Sequence, residues 1–571
     1  MRVLLLVGLV GLCLLVGSTA AEPRMNPIQL ENARPGSAGW RVSNAPEHAI
    51  AGYASEVSVG PGESLDLHVS TAPVAGYRVE LYRLGWYGGL GGRLVACLPS
   101  SCTSDEPGQD QPVPPLEPGT GFLDAGWTVT DSIRVPASWV SGYYLAVLRL
   151  TSGPDEGRAS WVPFVVRAPG SQHSAILVQA AVNTWQAYNR WGGMSLYRNA
   201  AGDNCRTTCT RVSFNRPYDP GTQNFWDYEL PLVHFLEESG YDASYTTDVD
   251  TDRDPGELLR HRLVIVAGHD EYWTKAMRDG FETARALGTN LAFMGANTGY
   301  WQMRYADRRR TIVEYRVASV DPEPNAALQT VRFRSLDPPR PECELEGVQY
   351  RGAGIESIGG RHDFAVVPGS LSDPWFAGTG FTASSVLPGL VGYEWDLVTP
   401  GCRTPPLTVF FHYSGGPAPA DTVRSTAPSG AIVFSAGSLV FAIGLDAFRH
   451  EPLLPTHDAR LQVFIRNAFA DMVRPAAPRS VRTTGGPKGV TVTVRRAPDP
   501  RVLAVAIYRA PALLPLARGR RGLHLVCTTL AASCLDRGVP RRRQVRYVVV
   551  VRDPWGASIP LVTAPVAAPD R

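Results

Sequence analysis

A strand–helix–strand pattern between residues 263 and 294 constrains the fold of this chain more than any other feature. Apolar runs of strand length occupy Leu263–Ala267 and Asn290–Met294. Between them, Thr274 can cap a helix over residues 275–287. Two strands joined by a helix of this length pair in parallel, and the resulting sheet carries helices on both faces. We therefore predict a central parallel sheet.

The regions on either side of this unit contain short strand-like runs without helical periodicity. From about residue 32 to residue 167 such runs are separated by Gly, Pro and Ser, which is typical of an immunoglobulin-like β-sandwich. After a Pro-rich segment at 475–478, four or more further runs favour a smaller sandwich of fibronectin type III-like form. A length of 571 residues accommodates several domains at ~100–200 residues each.

The N-terminus has the three parts of a secretory signal peptide. Arg2 is basic, an apolar run of roughly 14 residues follows it, and small residues precede Glu22. Cleavage near Ala20 or Ala21 would remove Cys13 and leave eight of the nine cysteines. An even number in an exported chain predicts four disulfides, although the sequence alone leaves their connectivity open. Taken in sequence order, the pairs are 97/102, 205/209, 343/402 and 527/534.

These patterns together predict a secreted, multidomain protein of α/β plus all-β class. Its expected parts are a signal peptide at 1–21, an Ig-like sandwich at 22–168, an α/β domain at 170–474 and a fibronectin type III-like domain at 478–567. The 55 basic and 53 acidic side chains are scattered and nearly balance, so the basic footprint of a nucleic-acid binder is missing. No second apolar stretch is long enough to predict a transmembrane segment.

Polar loops follow the two strands of the central unit, at the sheet edge where α/β proteins place their sites. The first loop holds His269 and Glu271, which would point to one face if strand geometry continued. The second loop holds Asn297. No nucleophile elbow, Walker loop or dinucleotide fingerprint follows a strand, and the first loop does not match the zinc-protease helix motif. On composition alone, the aromatic segment 183–197 is a packed loop.

Several sequence blocks occur in the order and spacing of a known family. They are NTWQAYNRWGGMSLY (183–197), GHDEYW (268–273), LAFMGANTGYWQ (291–302) and VGYEWD (391–396). Together with ENARPGSAGW (31–40) and YRLGWYGGLGG (82–92), they resemble the N,N-dimethylformamidase large (beta) subunit family and its secreted relatives with an N-terminal Ig-like module. The resemblance covers most of residues 30–470 and implies a Rossmann-like, glutamine-amidotransferase-like central sheet.

The resemblance also implies a metal site. In the amidase a mononuclear ferric ion is held by two tyrosinates and one glutamate, which correspond here to Tyr188, Tyr197 and Glu271. Three catalytic residues would surround these ligands, namely His269, Asn297 and Glu394. A ferric ion prefers anionic oxygen, and its charge can keep a phenol with a free pKa near ~10 as phenolate. The implied function is iron-dependent hydrolysis of a C–N bond in a small, non-peptide amide.

Three features separate this chain from the amidase. Asp270 stands where a proline is expected between His and Glu, two sandwiches flank the core, and the amidase works with a small second subunit. Two further function classes therefore stay open: an inactive cell-surface binding or adhesion protein, and a carbohydrate-active or carbohydrate-binding protein. A homo-oligomer or an association with the cell wall is compatible with each of them. We interpret Tyr272, Trp273 and Trp301 as packing beneath the loops.

Overall fold

The fold is described from a computed structural model. It covers residues 25–170, 174–205, 208–220, 225–351, 361–415, 418–446, 457–497, 499–512, 523–540 and 543–567. The predicted signal peptide lies outside these residues. Within them the chain is mostly β-sheet with few helices, and none of the helices is long and apolar enough to cross a membrane.

Two sheets form the N-terminal region and pack face to face. The smaller contains Ala51–Ala54, Ser64–Ser70 and Asp131–Arg134, and the larger has the order Ser58–Val59, Ala159–Val166, Gly142–Leu150, Tyr77–Leu84, Gly92–Leu98. Leu65 and Leu67 of the small sheet share a core with Val79 and Leu81 of the large one, because alternate side chains of a strand point to the same face. The opposite face of the large sheet, which includes Tyr143, is buried against the central region.

A nine-stranded sheet forms the centre of the molecule. Its order is Ala243–Thr247, Ile176–Ala180, Leu263–Ala267, Asn290–Met294, Ile432–Ser435, Ala420–Thr426, Leu407–Tyr413, His362–Val366, Val386–Val391. The first five strands pair in parallel and the others in antiparallel fashion. The prediction of a parallel sheet is therefore corrected to a mixed sheet. The connections 414–419 and 427–431 are too short for a crossover helix, so the strands they join must run in opposite directions.

Both faces of the parallel strands are buried, as predicted for a sheet covered by helices. Along one strand, Leu263 and Ile265 enter one apolar cluster, whereas Val264 and Val266 enter another. Leu230–Glu238 and Ala459–Met472 pack on the first face, and Lys275–Ala286 packs on the second. The predicted cap is confirmed, since the Met277 backbone N–H donates to Thr274 Oγ1 at 3.1 Å. The shorter α-helices are Pro27–Asn32, Val182–Tyr188, Asp248–Arg253 and Cys343–Glu346, and a π-helix spans Phe225–Glu229.

Small sheets and disulfides complete the described chain. Thr311–Val313 pairs with Arg211–Ser213 on one side and with Arg304–Ala306 on the other, Tyr272–Trp273 pairs with Trp301–Gln302, and Gln349–Tyr350 pairs with Asp396–Leu397. The C-terminal region has two sheets. The strand order of the first is Ser480–Gly486, Gly489–Arg495, Ser533–Asp536. The order of the second is His524–Thr529, Ala504–Pro511, Gln544–Arg552, Leu561–Val562, and Val566–Ala567 also pairs with Gln544–Arg552. The four disulfides taken in sequence order are confirmed, namely Cys97–Cys102, Cys205–Cys209, Cys343–Cys402 and Cys527–Cys534.

One segment folds differently from its composition. The packed loop expected at 183–197 begins instead with a helix, Val182–Tyr188, whose residues are almost all buried. A helix this short is not stable by itself, so tertiary packing must hold it. Trp185 is part of that packing, since the residue is 2% exposed and its ring lies against Phe225.

Buried ion pairs join the flanking β-regions to the central sheet. Arg83 of the N-terminal sandwich donates from Nη1 and Nη2 to the two carboxylate oxygens of Glu237, at 2.8 and 2.7 Å. Both side chains are fully buried. Arg262, directly before a central strand, is held between Asp499 and Asp553 of the C-terminal region, at 2.6 Å from Nη1 to Asp499 and 2.9 Å from Nε to Asp553. Each junction therefore depends on a desolvated cation with defined partners.

Candidate active site

The six predicted site residues lie together beside the carboxyl ends of three neighbouring parallel strands. Tyr188 ends the helix that follows Ile176–Ala180, and Tyr197 lies in the loop after that helix. His269 and Glu271 follow Leu263–Ala267, and Asn297 follows Asn290–Met294. Glu394 reaches the same place from the turn between Val386–Val391 and Asp396–Leu397. The topology thus converts four distant sequence blocks into one cluster.

Glu271 is the centre of this cluster. Tyr188 Oη donates to Glu271 Oε2 at 2.9 Å, and Tyr197 Oη lies 2.8 and 2.9 Å from the two carboxylate oxygens. The two phenol rings are 4.5 Å apart, and Glu271 is only 3% exposed. Its backbone N–H donates to Thr184 Oγ1 at 2.9 Å, which ties the loop to the helix that carries Tyr188. The three residues expected to bind a metal are therefore already in mutual contact.

The chemistry of these three donors fits a hard trivalent cation. All donor atoms are oxygens, and each of the three side chains can become anionic. Burial raises the pKa of Tyr188 and Tyr197 well above the usual range, and the Glu271 carboxylate raises both further. Both phenols are thus neutral unless a cation compensates their charge. The described residues contain no cluster of three or more His, Cys, Asp and Glu side chains suited to a metal, so a metal here would depend on the two tyrosines.

Three further polar side chains, His269, Glu394 and Asn297, extend the cluster around Glu271. His269 Nε2 lies 3.3 Å from Glu394 Oε2 and 3.5 Å from Glu271 Oε2. Asn297 donates from Nδ2 to Glu394 Oε2 at 2.7 Å. Burial alone would lower the pKa of His269, but the carboxylates of Glu394 and Glu271 outweigh it and raise that pKa. His269 therefore retains its proton more readily than a free imidazole.

Two residues that the sequence did not indicate complete the cluster. Tyr272 Oη donates to Tyr197 Oη at 2.5 Å, and Arg316 Nη2 donates to Tyr272 Oη at 2.9 Å. The Arg316 guanidinium also lies 4.9 Å from the centre of the Tyr197 ring. Tyr272 is fully buried as expected for packing, but its hydroxyl group belongs to the site. Its place beside Glu271 in GHDEYW was a usable signal, whereas Arg316 lies outside every recognised block.

Glycines allow the two strand-end loops to touch. A Cβ on Gly295 would lie 1.8 Å from the Gly268 carbonyl oxygen, so the two loops meet backbone to backbone. Gly268 has a φ of +58°, and a Cβ there would approach the Glu229 side chain to 2.8 Å. Glu229 in turn accepts a 2.5 Å hydrogen bond from Tyr143 of the N-terminal sandwich. The sandwich thus supports the loop that carries His269.

Comparisons with known proteins connect this geometry to one family. The model of the family "N,N-dimethylformamidase beta subunit-like, C-terminal" matches residues 78–456. The N,N-dimethylformamidase beta subunit of Alcaligenes sp. is 23% identical over 233 residues, which cover 34% of this chain and 30% of that protein. The same subunit of Paracoccus aminophilus is 24% identical over 233 residues, with the same coverages. The match thus spans less than a third of the length of these relatives.

A solved structure also matches part of the chain. The FN1–FN3 domains of chicken CNTN1 are 12% identical and cover 37% of this chain and 58% of that one. The TM-score is 0.14, which is too low to indicate a common fold.

Proposed function

Because the chain belongs to the N,N-dimethylformamidase beta subunit-like family, we propose that it hydrolyses the C–N bond of a small, non-peptide amide. We further propose that Tyr188, Tyr197 and Glu271 bind a ferric ion. The observation that carries the proposal is the contact of two partly buried phenols with one buried carboxylate at 2.8–2.9 Å. Such a group is costly to bury unless a ligand stabilises its charged form.

A ferric ion bound there would supply a Lewis acid for the carbonyl group of the amide. The protein's own residues have separate tasks. Tyr272 and Arg316 fix the position of the Tyr197 oxygen through the hydrogen bonds described above. Asn297, through its side-chain amide, can donate to the amide oxygen as that atom gains charge.

His269 and Glu394 would move the protons that hydrolysis requires. The reaction consumes one water: its hydroxide part joins the carbonyl carbon, and its proton ends on the departing amine. Glu394 accepts the proton of the attacking water, and His269, whose pKa is raised, donates to the nitrogen of the breaking C–N bond. The 3.3 Å separation of His269 from Glu394 lets the proton return to the histidine afterwards.

We also propose that the protein works outside the cell. Four disulfides support an oxidising compartment, where such bridges persist. The proposed frame is a signal peptide at 1–21, an Ig-like sandwich at 22–168, a Rossmann-like, glutamine-amidotransferase-like catalytic domain at 170–474 and a fibronectin type III-like domain at 478–567.

The test combines metal analysis, visible spectroscopy and an amide screen on purified protein. We expect about one iron per chain by family resemblance, a visible ferric-phenolate band, and release of amine from at least one amide. Tyr188→Phe and Tyr197→Phe should each weaken the band, whereas Tyr508→Phe in the C-terminal region should not. His269→Ala should lower kcat by about 10²–10⁴-fold. A colourless protein that ferric salts leave unchanged would overturn the iron site, and full turnover by Glu271→Gln would overturn the mechanism.

A further inference from the structure

Arg361 is a partly buried cation that lies against the segment 391–396, which carries Glu394. A Cβ on Gly392 would lie 3.1 Å from Arg361 Cγ, so the side chain packs directly over this glycine. Its guanidinium carbon lies 5.5 Å from the centre of the Tyr393 ring, and Nη2 is 3.5 Å from Tyr393 Oη. Tyr393 has a φ of +57°, an uncommon conformation for this residue type, immediately before Glu394.

Ring contacts connect Arg361 to the centre of the candidate site. The Tyr228 ring lies 6.0 Å from the Tyr393 ring on one side and 6.5 Å from the His269 ring on the other. Burial raises the pKa of Tyr228 well above its usual range, and the guanidinium of Arg361 opposes that shift. Arg361 is therefore close enough to this phenol to interact with it electrostatically.

The donors of Arg361 are largely unused. Among the described residues, its Nε and Nη1 atoms are buried without an acceptor, and no carboxylate forms an ion pair with the guanidinium. A buried N–H group without an acceptor is costly, and more so when the group is charged. The contacts with Tyr393 leave these two donors unused.

Other buried arginines show that this fold normally satisfies such groups. Arg83 reaches both oxygens of Glu237, and Arg262 lies between two aspartates. Arg216 has no carboxylate in hydrogen-bond contact, yet its nitrogens donate to the carbonyl groups of Trp191, Met194 and Asn189. Among the described residues, Arg278, Arg546 and Arg552 each have one buried nitrogen without an acceptor, whereas Arg361 has two. This larger deficit points to a ligand rather than to the protein as the acceptor for Arg361.

Further unpaired polar atoms lie near the same segment. Asn297 Oδ1 and Thr298 Oγ1 are buried without a hydrogen-bond partner among the described residues, although Asn297 Nδ2 is bonded to Glu394. Buried polar atoms are nearly always paired in folded proteins, so a group of exceptions around one carboxylate indicates a binding site.

We infer that Arg361 binds a carboxylate group of the substrate, so that the preferred amides carry a carboxylate in addition to the C–N bond to be cleaved. A guanidinium group matches carboxylate geometry. A single cation beside one phenol suits a monoanion better than a doubly charged phosphate. The substrate class rests on the proposed hydrolysis, whereas carboxylate binding by Arg361 does not.

Matched ligands test the inference. Malonamate, succinamate and glutaramate carry a carboxylate, and propionamide, butyramide and pentanamide are their neutral counterparts. We expect the purified protein to bind at least one carboxylate amide about ten- to a hundredfold more tightly than its counterpart, by calorimetry and in KM. Arg361→Gln should abolish that preference and leave the neutral amides unchanged, and Arg361→Lys should restore part of it. Arg403→Gln, which removes a 92% exposed cation, is the control.

The outcomes separate this inference from the proposed reaction. Selective carboxylate binding without turnover of any amide would support Arg361 and overturn the hydrolase. Hydrolysis of neutral and charged amides with equal KM, or a preference that survives in Arg361→Gln, would overturn the inference and leave the hydrolase intact. Because the lysine variant keeps the charge, recovery of binding in it shows that the glutamine variant lost recognition rather than its fold.

Discussion

Two buried polar clusters in this molecule are built in opposite ways. At the sandwich junction, Glu237 accepts hydrogen bonds from Arg83, Tyr245 and Asn32. Both oxygens of this buried carboxylate therefore have donors. At the candidate site, Glu271 faces two neutral phenols and shares His269 with a second acid, Glu394. Burial and the Glu394 charge raise the pKa of Glu271, and His269 opposes that shift. The first cluster stabilises the fold by itself. We expect the second to become favourable only when a ligand binds, which would distinguish a binding site from a structural ion pair.

Arg83→Met tests the structural role of the sandwich junction most directly. It leaves Glu237 buried without its cation, and we expect the free energy of unfolding to fall by about 3–5 kcal/mol. Urea unfolding with the disulfides intact measures this. Arg403→Met at an exposed position should change stability by less than about 0.5 kcal/mol. A loss below about 1 kcal/mol in Arg83→Met would show that the junction is not the structural cluster we describe.

A smaller effect is expected when the short disulfide beside Tyr197 is removed. The Cys205 backbone N–H donates to the Tyr197 carbonyl at 3.0 Å, and the bridge to Cys209 closes a separation of 4 residues. The double substitution Cys205→Ser/Cys209→Ser should cost about 2 kcal/mol on loop entropy. It should also broaden the ferric-phenolate band, because the Tyr197 loop becomes mobile. An unchanged band would mean that contacts with Glu271 alone hold Tyr197.

Tyr272→Phe removes the hydrogen bond donated to Tyr197 and the one accepted from Arg316, but no charge. We expect a loss of about 0.5–1.5 kcal/mol in unfolding free energy. Ferric affinity should fall by about 10–100-fold, as for other groups that orient a metal ligand. Iron titration followed in the visible range measures the affinity. Tyr300→Phe, on the second loop but outside the cluster, serves as the matched control, and equal affinities for the two variants would contradict the role of Tyr272.

The smallest change in stability is predicted at the centre of the site. Glu271→Gln keeps a hydrogen-bond acceptor for the two tyrosines and removes a buried charge whose cationic partner, His269 at 3.5 Å, is shared with Glu394. The free energy of unfolding without iron should therefore stay within about 1 kcal/mol of the original or rise. Ferric salts should raise the melting temperature of the original protein but not of the variant. A loss of 3 kcal/mol or more, as roughly expected for a broken buried ion pair, would place Glu271 with the structural cluster.

Individual strands and helices could be predicted from the sequence better than the order and direction of the strands in the sheet. The two strands and the capped helix of 263–294 were located from apolar runs of strand length and from the capping residue Thr274, because the apolar residues face two buried cores. Periodicity does not encode strand partners, so the antiparallel half of the sheet was missed. Its direction depends on short connections such as 427–431.

The candidate site shows the same division. Neighbouring strand ends placed His269, Glu271 and Asn297 on one edge from the pattern itself. Tyr188, Tyr197 and Glu394 entered only through the family blocks, since a helix end and a distant turn have no periodic signal. Arg316 was missed because a single arginine in a chain with 55 basic residues is not distinctive until the fold places it over Tyr197.

The ion pair between Arg83 and Glu237 also bears on how such chains evolve. A β-sandwich with its own hydrophobic core can in principle be exchanged between proteins as a cassette. Here an exchanged N-terminal cassette without an arginine at this position would leave Glu237 of the central domain buried without its cation. A cassette without Tyr143 would leave Glu229 without one of its hydrogen-bond donors. The sandwich and the central sheet are therefore expected to be inherited as a single unit.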